Sequence, residues 1–519
     1  MNTLLAPARA LLEHLVVVHL LIAAVVLVWD VFMSGQIAAL RRAPRPFAVL
    51  TGLSGLLIVP ATLVAVASVS VLYGRAINSV AWLWPVCCVL FALQALYATA
   101  RRLVTSFIGV PLAAYDVILA VVAVTRQLGY DGVPLPPWAL ALGAAHATTL
   151  GYIMGRGALA SPLALQIPML SPAFPARWRF SRTMRATLAA GAALSAGVTA
   201  LELVRGYAGV ESYDRYAAVR LQERPAGDFQ VGLRLFPELT ETIAPSVARQ
   251  DVALLDTLDV DAVLVVLSGE GTRAAALDSL ARTLDPFRRD STTLIVALGY
   301  APGDADRLAD SATAFERSRL ADVDRVVRRL RPDYILPADE PYGRGAASLG
   351  TLPVAWWQRY LTDAAARARR ADRRVKVAVA LAGFGARDSA LYAWATAPRS
   401  PLDAVGFTMV PGFRGGLSLE ARLHAADRWM RVAGPSRTEH WVFAAGGYPV
   451  AHGERSQERA VWGTLAWATT RPALRGVVVE TSDDYTSLAG LRAANGRLRP
   501  VAAAMTRAIK GLREGVTTR

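Results

Sequence analysis

Lysine is almost missing from this chain: of 56 basic residues only Lys376 and Lys510 are lysines, and every other one is arginine. That bias reads as GC-rich coding rather than as phosphate recognition. The net charge of +15 is scattered, without a basic run or a nucleic-acid motif, so a nucleic-acid partner is set aside. Cysteine is equally scarce. Cys87 and Cys88 are the whole complement, adjacent inside an apolar run, which excludes a disulfide framework and a thiolate zinc site. The third shortage is local. Residues 1–205 hold only 5 acidic residues (Glu13, Asp30, Asp116, Asp131, Glu202) against 14 arginines, whereas residues 206–519 hold 36 acidic and 42 basic ones. The chain of 519 residues therefore divides into a membrane block, 1–205, a linker, 206–228, and a water-soluble domain, 229–519.

What fills the first block is apolar sequence. Six stretches, near 12–33, 48–72, 79–99, 107–125, 137–155 and 186–204, are long enough to cross a bilayer as helices, which takes about 20 residues. The first lacks the basic start and the small-residue cleavage site of a signal peptide. Loop arginines set the expected orientation. Arg41, Arg42, Arg45, Arg101, Arg102, Arg156, Arg177, Arg179, Arg182 and Arg185 fall on one side; Arg9, Arg75 and Arg126 fall on the other. Positive charge stays in the cytoplasm, so the N-terminus and the C-terminal domain are expected outside, in the periplasm or beyond the cell. His19, Asp30, Asp116 and His146 lie within the spans. Charge at membrane depth is costly, and Asp116 with His146 reads either as a proton or substrate relay or as a buried hydrogen-bonded pair.

From Phe229 onward, β-rich runs alternate with helical segments. The runs are 230–236, 262–268, 293–300, 334–340, 375–384, 404–410, 440–448 and 476–481, with helices such as 321–331 and 354–371 between them. Eight strand–helix units over such a length predict a closed (β/α)8 TIM barrel. A doubly wound open sheet is the alternative, but its phosphate-binding glycine fingerprint is missing. In a barrel the site lies at the C-terminal strand ends. There the sequence places Arg234, Glu238, Glu270, Tyr300, Asp339, Glu340, Tyr448, Glu480, Asp483 and Asp484. Carboxylates around one mouth suit acid/base chemistry on a polar substrate, and neither a metal nor a cofactor is called for. Glu480 reads equally as a structural partner of Arg234. Asp483 and Asp484 read as turn caps, and Trp356, Trp357, Trp394 and Trp429 as packing.

Five segments in order, 338–341 (ADEP), 402–411 (LDAVGFTMVP), 441–449 (WVFAAGGYP), 457–468 (QERAVWGTLAWA) and 490–500 (GLRAANGRLRP), resemble the clan A glycoside hydrolases. These are (β/α)8 enzymes that include β-glucanases and galactanases, and the likeness spans about 229–510. The resemblance implies that Glu340 is the acid/base and that Tyr448 stands where the family has a sugar-facing tryptophan. It also marks departures. Asp339 replaces the usual Asn, Ala445 stands at the place of the strand-7 nucleophile Glu, and Val410 at that of its supporting Tyr. Double displacement cannot run on an alanine, so three outcomes stay open. In the first expectation Glu480 replaces the lost carboxylate and the anchored, exterior-facing domain trims an envelope or exported polysaccharide with Glu340 as general acid, Asp339, Arg234, Tyr300, Tyr448 and Asp483 holding substrate. The domain binds glycan without cleaving it. Or it acts on a different glycosidic or acyl bond. Glu340 and Glu480 on opposite strands favour inversion over retention. The expected partners are the lipid bilayer, a polysaccharide or glycan, and other envelope proteins.

Overall fold

The computed structural model describes residues 24–35, 43–68, 80–130, 133, 135–143, 145, 167–171, 206–225, 227–288, 292–411, 416–434, 437–485, 489–493 and 495–514, with a few positions between 197 and 204. Eight parallel strands close a barrel in sequence order: β1 (Gln230–Arg234), β2 (Ala262–Leu267), β3 (Thr293–Leu298), β4 (Tyr334–Leu336), β5 (Lys376–Leu381), β6 (Ala404–Met409), β7 (Glu439–Ala445) and β8 (Leu474–Val479). The predicted barrel is therefore present. Its strands stop one to four residues short of the predicted C-terminal ends, because those residues leave the ladder to form the mouth.

The strands read as near-continuous apolar runs because both faces are buried. Alternate residues fill the interior: Ala262, Leu264 and Val266 from β2, Ile295 and Ala297 from β3, Ala378 and Ala380 from β5, Trp441 and Phe443 from β7. Small alanines face two large rings, so small and large side chains interlock. Gly406 on β6 belongs to this fit, since a Cβ there would stand 2.2 Å from the Phe443 ring. The other face of each strand packs against the surrounding helices, including Ala312–Leu330, Val354–Ala371 and Glu454–Thr469. Trp357 is fully buried there, and Trp356 stacks on Tyr360 at 5.5 Å.

Four apolar helices are described in the N-terminal block: α1 (Ala24–Gly35), α2 (Arg45–Ser68), α3 (Leu83–Ala100) and α4 (Ser106–Tyr130). The last three are long and apolar enough to cross a membrane. The predicted fifth and sixth spans, with His146, fall largely outside the described residues, as does His19. The helices run up and down, so Arg45 at the start of α2 and Arg101 at the end of α3 share one end of the bundle; Phe47 and Tyr97 stack there at 6.3 Å. The barrel sits at the other end, where α4 finishes and Arg497 donates to the Gly129 carbonyl at 3.3 Å.

The expected loop after span five holds a surprise. Ile167–Ser171 is an extended piece of chain buried in the bundle. Its N–H groups donate to side chains of three helices: Met169 to Asp116 Oδ1 (3.1 Å), Leu170 to Asp30 Oδ1 (2.8 Å) and Ser171 to Gln94 Oε1 (2.9 Å). Its carbonyls accept from Tyr115 Oη, Trp29 Nε1 and Gln94 Nε2. Buried backbone N–H groups need partners, and here Asp30 and Asp116 supply two of them.

Candidate functional site

The mouth is assembled from residues just past the strand ends. Glu340 sits four residues after β4 with φ of 50°, the left-handed region that residues other than glycine seldom adopt. Its carbonyl caps the next turn by accepting from Gly343 and Gly345, both at 2.9 Å. Its carboxyl Oε1 accepts from Thr408 Oγ1 on β6 at 2.6 Å. Burial, with Asp339 beside it, pushes Glu340 above the usual carboxyl range, against the pull of Arg344 and the Thr408 hydroxyl. Asp339 is raised as well, chiefly by burial, while Arg344 and Arg234 pull it down.

Glu480 lies one residue past β8, its N–H donating to the Ala445 carbonyl at 2.9 Å. The carboxylate thus stands beside the position where the resemblance puts a nucleophile, but it is already engaged. Its Oε1 accepts from Arg234 Nη1 at 2.7 Å and from Arg344 Nη2 at 2.6 Å. The same Arg344 guanidinium reaches Asp339 at 3.5 Å and Glu340 at 3.8 Å. One arginine therefore bridges the three carboxyls of the site. It is the more exposed partner, 32% against 14% for Glu480, and lies on the solvent side.

The remaining candidates separate. Tyr448 is half-buried and shares the field of Glu480, Arg422, Glu340 and Arg344; burial pushes its phenol up to about 12. Tyr300 is buried, and the Arg319 guanidinium covers one face of its ring at 4.9 Å, so that face is closed to a sugar. Glu238 is spent on the Tyr300 N–H at 3.1 Å. Asp483 is corrected by its surroundings. It is 1% exposed and accepts from Arg492 Nε at 2.9 Å; that arginine also holds Asp251 at 3.1 Å, so Asp483 braces the chain behind β1 and β8 instead of meeting substrate. Asp484 pairs with Arg499 through both oxygens, at 2.6 and 2.7 Å.

Sequence reasoning missed Arg344, Thr408, Arg422 and Asp388. Arg422 donates to the Thr408 carbonyl at 2.8 Å and lies over the Phe384 ring. Asp388 accepts from Gly383 and Phe384 N–H at 2.6 and 2.8 Å, fixing the turn after β5, and burial raises it to about 6. Arg344 carried a usable signal, since it follows Glu340 by four residues. Arg422 and Asp388 sit on helices, where no strand-end rule points, whereas Thr408 is the last residue but one of β6 and within that rule's reach.

Among the described residues no group of His, Cys, Asp and Glu is arranged to hold a metal ion. No protein-family model matches the chain, and no curated protein does. Among solved structures it is similar to the β-glucuronidase from Ruminococcus gnavus in complex with D-glucuronic acid, at 12% identity, 53% of this chain, 49% of that one and a TM-score of 0.40. It is also similar to Bacteroides uniformis β-glucuronidase 2, at 11% identity over 53% and 35% with a TM-score of 0.41. A third is GH5_18 from Bifidobacterium longum subsp. longum, at 13% identity over 55% and 80% with a TM-score of 0.44. The chain spans half or less of the length of the two β-glucuronidases. These neighbours are glycoside hydrolases; this chain's own fold is a closed barrel of eight parallel strands.

Proposed function

We propose that this protein is a membrane-anchored, exterior-facing barrel that holds a glycan of an envelope or exported polysaccharide in its mouth without cleaving it. The observation that carries this reading is Arg344, whose guanidinium reaches Glu340 and Glu480 together. Glycoside hydrolysis needs one carboxyl to give a proton and a second one free to attack or to activate water. Ala445 supplies no carboxyl, and the charge of Glu480 is neutralised by two guanidinium groups. The mouth keeps what binding needs: charged donors and acceptors, Arg344 partly exposed among them, with an aromatic ring, Tyr448, in the same field. The arginine-rich end of the bundle, opposite the barrel, supports an exterior barrel through the positive-inside bias.

A second reading has one observation in its favour. Burial and the neighbouring Asp339 raise the Glu340 carboxyl above the usual range, the direction a general acid needs. Hydrolysis with inversion would then require Arg344 to swing out and free Glu480 as base. The test offers β-glucans, galactans and envelope polysaccharides to the full-length protein, following retention and reducing-end release together. Retention without release, weakened about tenfold (~1.4 kcal/mol) by Arg344→Ala, is expected. Release of reducing ends that vanishes in Glu340→Gln would replace this reading with the hydrolase.

A further inference from the structure

The barrel does not meet the membrane block through its closed end. The segments that touch the bundle follow β7 and β8, so they belong to the mouth. Pro449 begins the short helix Pro449–His452, which packs on α4. It lines a small cavity with Thr125, Arg126 and Gly129 at the end of that helix. A Cβ at Gly453 would come within 3.1 Å of Leu140. Arg497, in the segment after β8, donates to Gly129. Tyr448, which shares the field of Glu340, Glu480 and Arg344, directly precedes Pro449. The site and the bundle thus meet at adjacent residues.

The depth of that junction follows from helix length. α4 has 25 residues, or about 37 Å at 1.5 Å each, against a hydrocarbon core of about 30 Å. With α4 set across a bilayer, Gly129 at its end would lie at headgroup level, and Arg497 of the barrel bonds to it directly. Trp138, exposed at this end, is the kind of side chain that settles in the interface. A free polymer would have to enter this mouth along the bilayer surface. A short glycan rising from a lipid in the same leaflet is already there.

We infer that the ligand of the mouth is a lipid-linked glycan, bound while its lipid anchor remains in the bilayer. The inference rests on the glycan reading and names its substrate class. Confinement to a membrane raises the effective concentration of any anchored sugar, so a comparison with free sugar alone would not decide it. Tether length does. The full-length protein in vesicles is offered oligosaccharides coupled to dioleoylphosphatidylethanolamine, either directly or through a polyethylene glycol spacer longer than the barrel is tall; the same oligosaccharides are also offered free.

The directly coupled probes are expected to bind at least tenfold better than the free sugars and no worse than the spaced ones. Arg344→Ala and the isosteric Glu340→Gln are each expected to abolish that advantage. Binding of spaced or free probes in preference to direct ones would overturn the inference while leaving the glycan reading standing. Binding of direct probes that neither variant weakens would overturn it too, placing the lipid or sugar elsewhere. Binding of no probe, by a protein that still melts cooperatively, would remove the glycan reading itself.

Discussion

Asp388 is the mouth residue whose charge is easiest to follow by itself. One of its oxygens accepts both turn N–H groups after β5, while the other is buried without a hydrogen bond. Its value of about 6 lies above that of an exposed aspartate. The folded state thus binds this proton more tightly than the unfolded one. The stability it contributes is full below the ordinary carboxyl value and is lost as pH rises through about 6. Melting followed from pH 4 to pH 8 should show a fall on the order of 2 kcal/mol from this group. Asp388→Asn should flatten that part of the profile; an unchanged slope would mean that Asp388 is not the group responsible. At this scale legibility was uneven. Glu340, Glu480 and their mouth position followed from strand ends and motif spacing, and the Glu480–Arg234 pair from the fact that β8 closes on β1. Arg344 had only its spacing of four residues from Glu340 to mark it, and its reach to Glu480 shows only once the turn at Glu340 has folded.

The elements themselves were legible because a barrel strand buried on both faces has little choice of sequence. Their C-terminal limits were not, since the chain continues past the last ladder bond into the mouth without a break in its pattern. The helix Ala312–Leu330 starts nine residues before its predicted beginning, where Ser311 accepts from the Ala314 N–H. That extra length brings Arg319 under the mouth. Its guanidinium donates to the carbonyls of Gly299 (2.9 Å), Leu298 (3.2 Å) and Pro337 (3.0 Å), tying the ends of β3 and β4 together immediately before Asp339. Removing it takes the donor from the Gly299 carbonyl, while those of Leu298 and Pro337 keep the Asp339 N–H and the Tyr360 hydroxyl, a loss on the order of 2 kcal/mol. Arg319→Met, which keeps most of the volume, should therefore lower the melting temperature measurably and weaken glycan retention as the β4 turn loosens. A variant as stable as the parent would show that water replaces those three bonds.

At the scale of the whole molecule, composition draws the contrast between the two parts, 5 acidic residues in the first 205 against 36 in the rest. The clasp around Ile167–Ser171 was beyond reach, because its partners come from α1, α3 and α4, and nothing in a short apolar stretch with one proline announces insertion. It gives Asp30 and Asp116 a structural role, because each accepts from an N–H group of the buried segment. Orientation is the property on which the proposed exterior role depends, and it can be measured in cells. Cys87 and Cys88 are buried, so a new surface cysteine reports alone. Val133 lies at the barrel end of the bundle and is exposed, whereas Arg101 is exposed at the opposite, arginine-rich end. With a membrane-impermeant maleimide applied to intact cells whose outer barrier is opened, Val133→Cys is expected to label and Arg101→Cys only after lysis. The reverse pattern would put the barrel in the cytoplasm. It would move any lipid-linked ligand to the inner leaflet and exclude exported polysaccharide as the target, while leaving the geometry of the mouth as it stands.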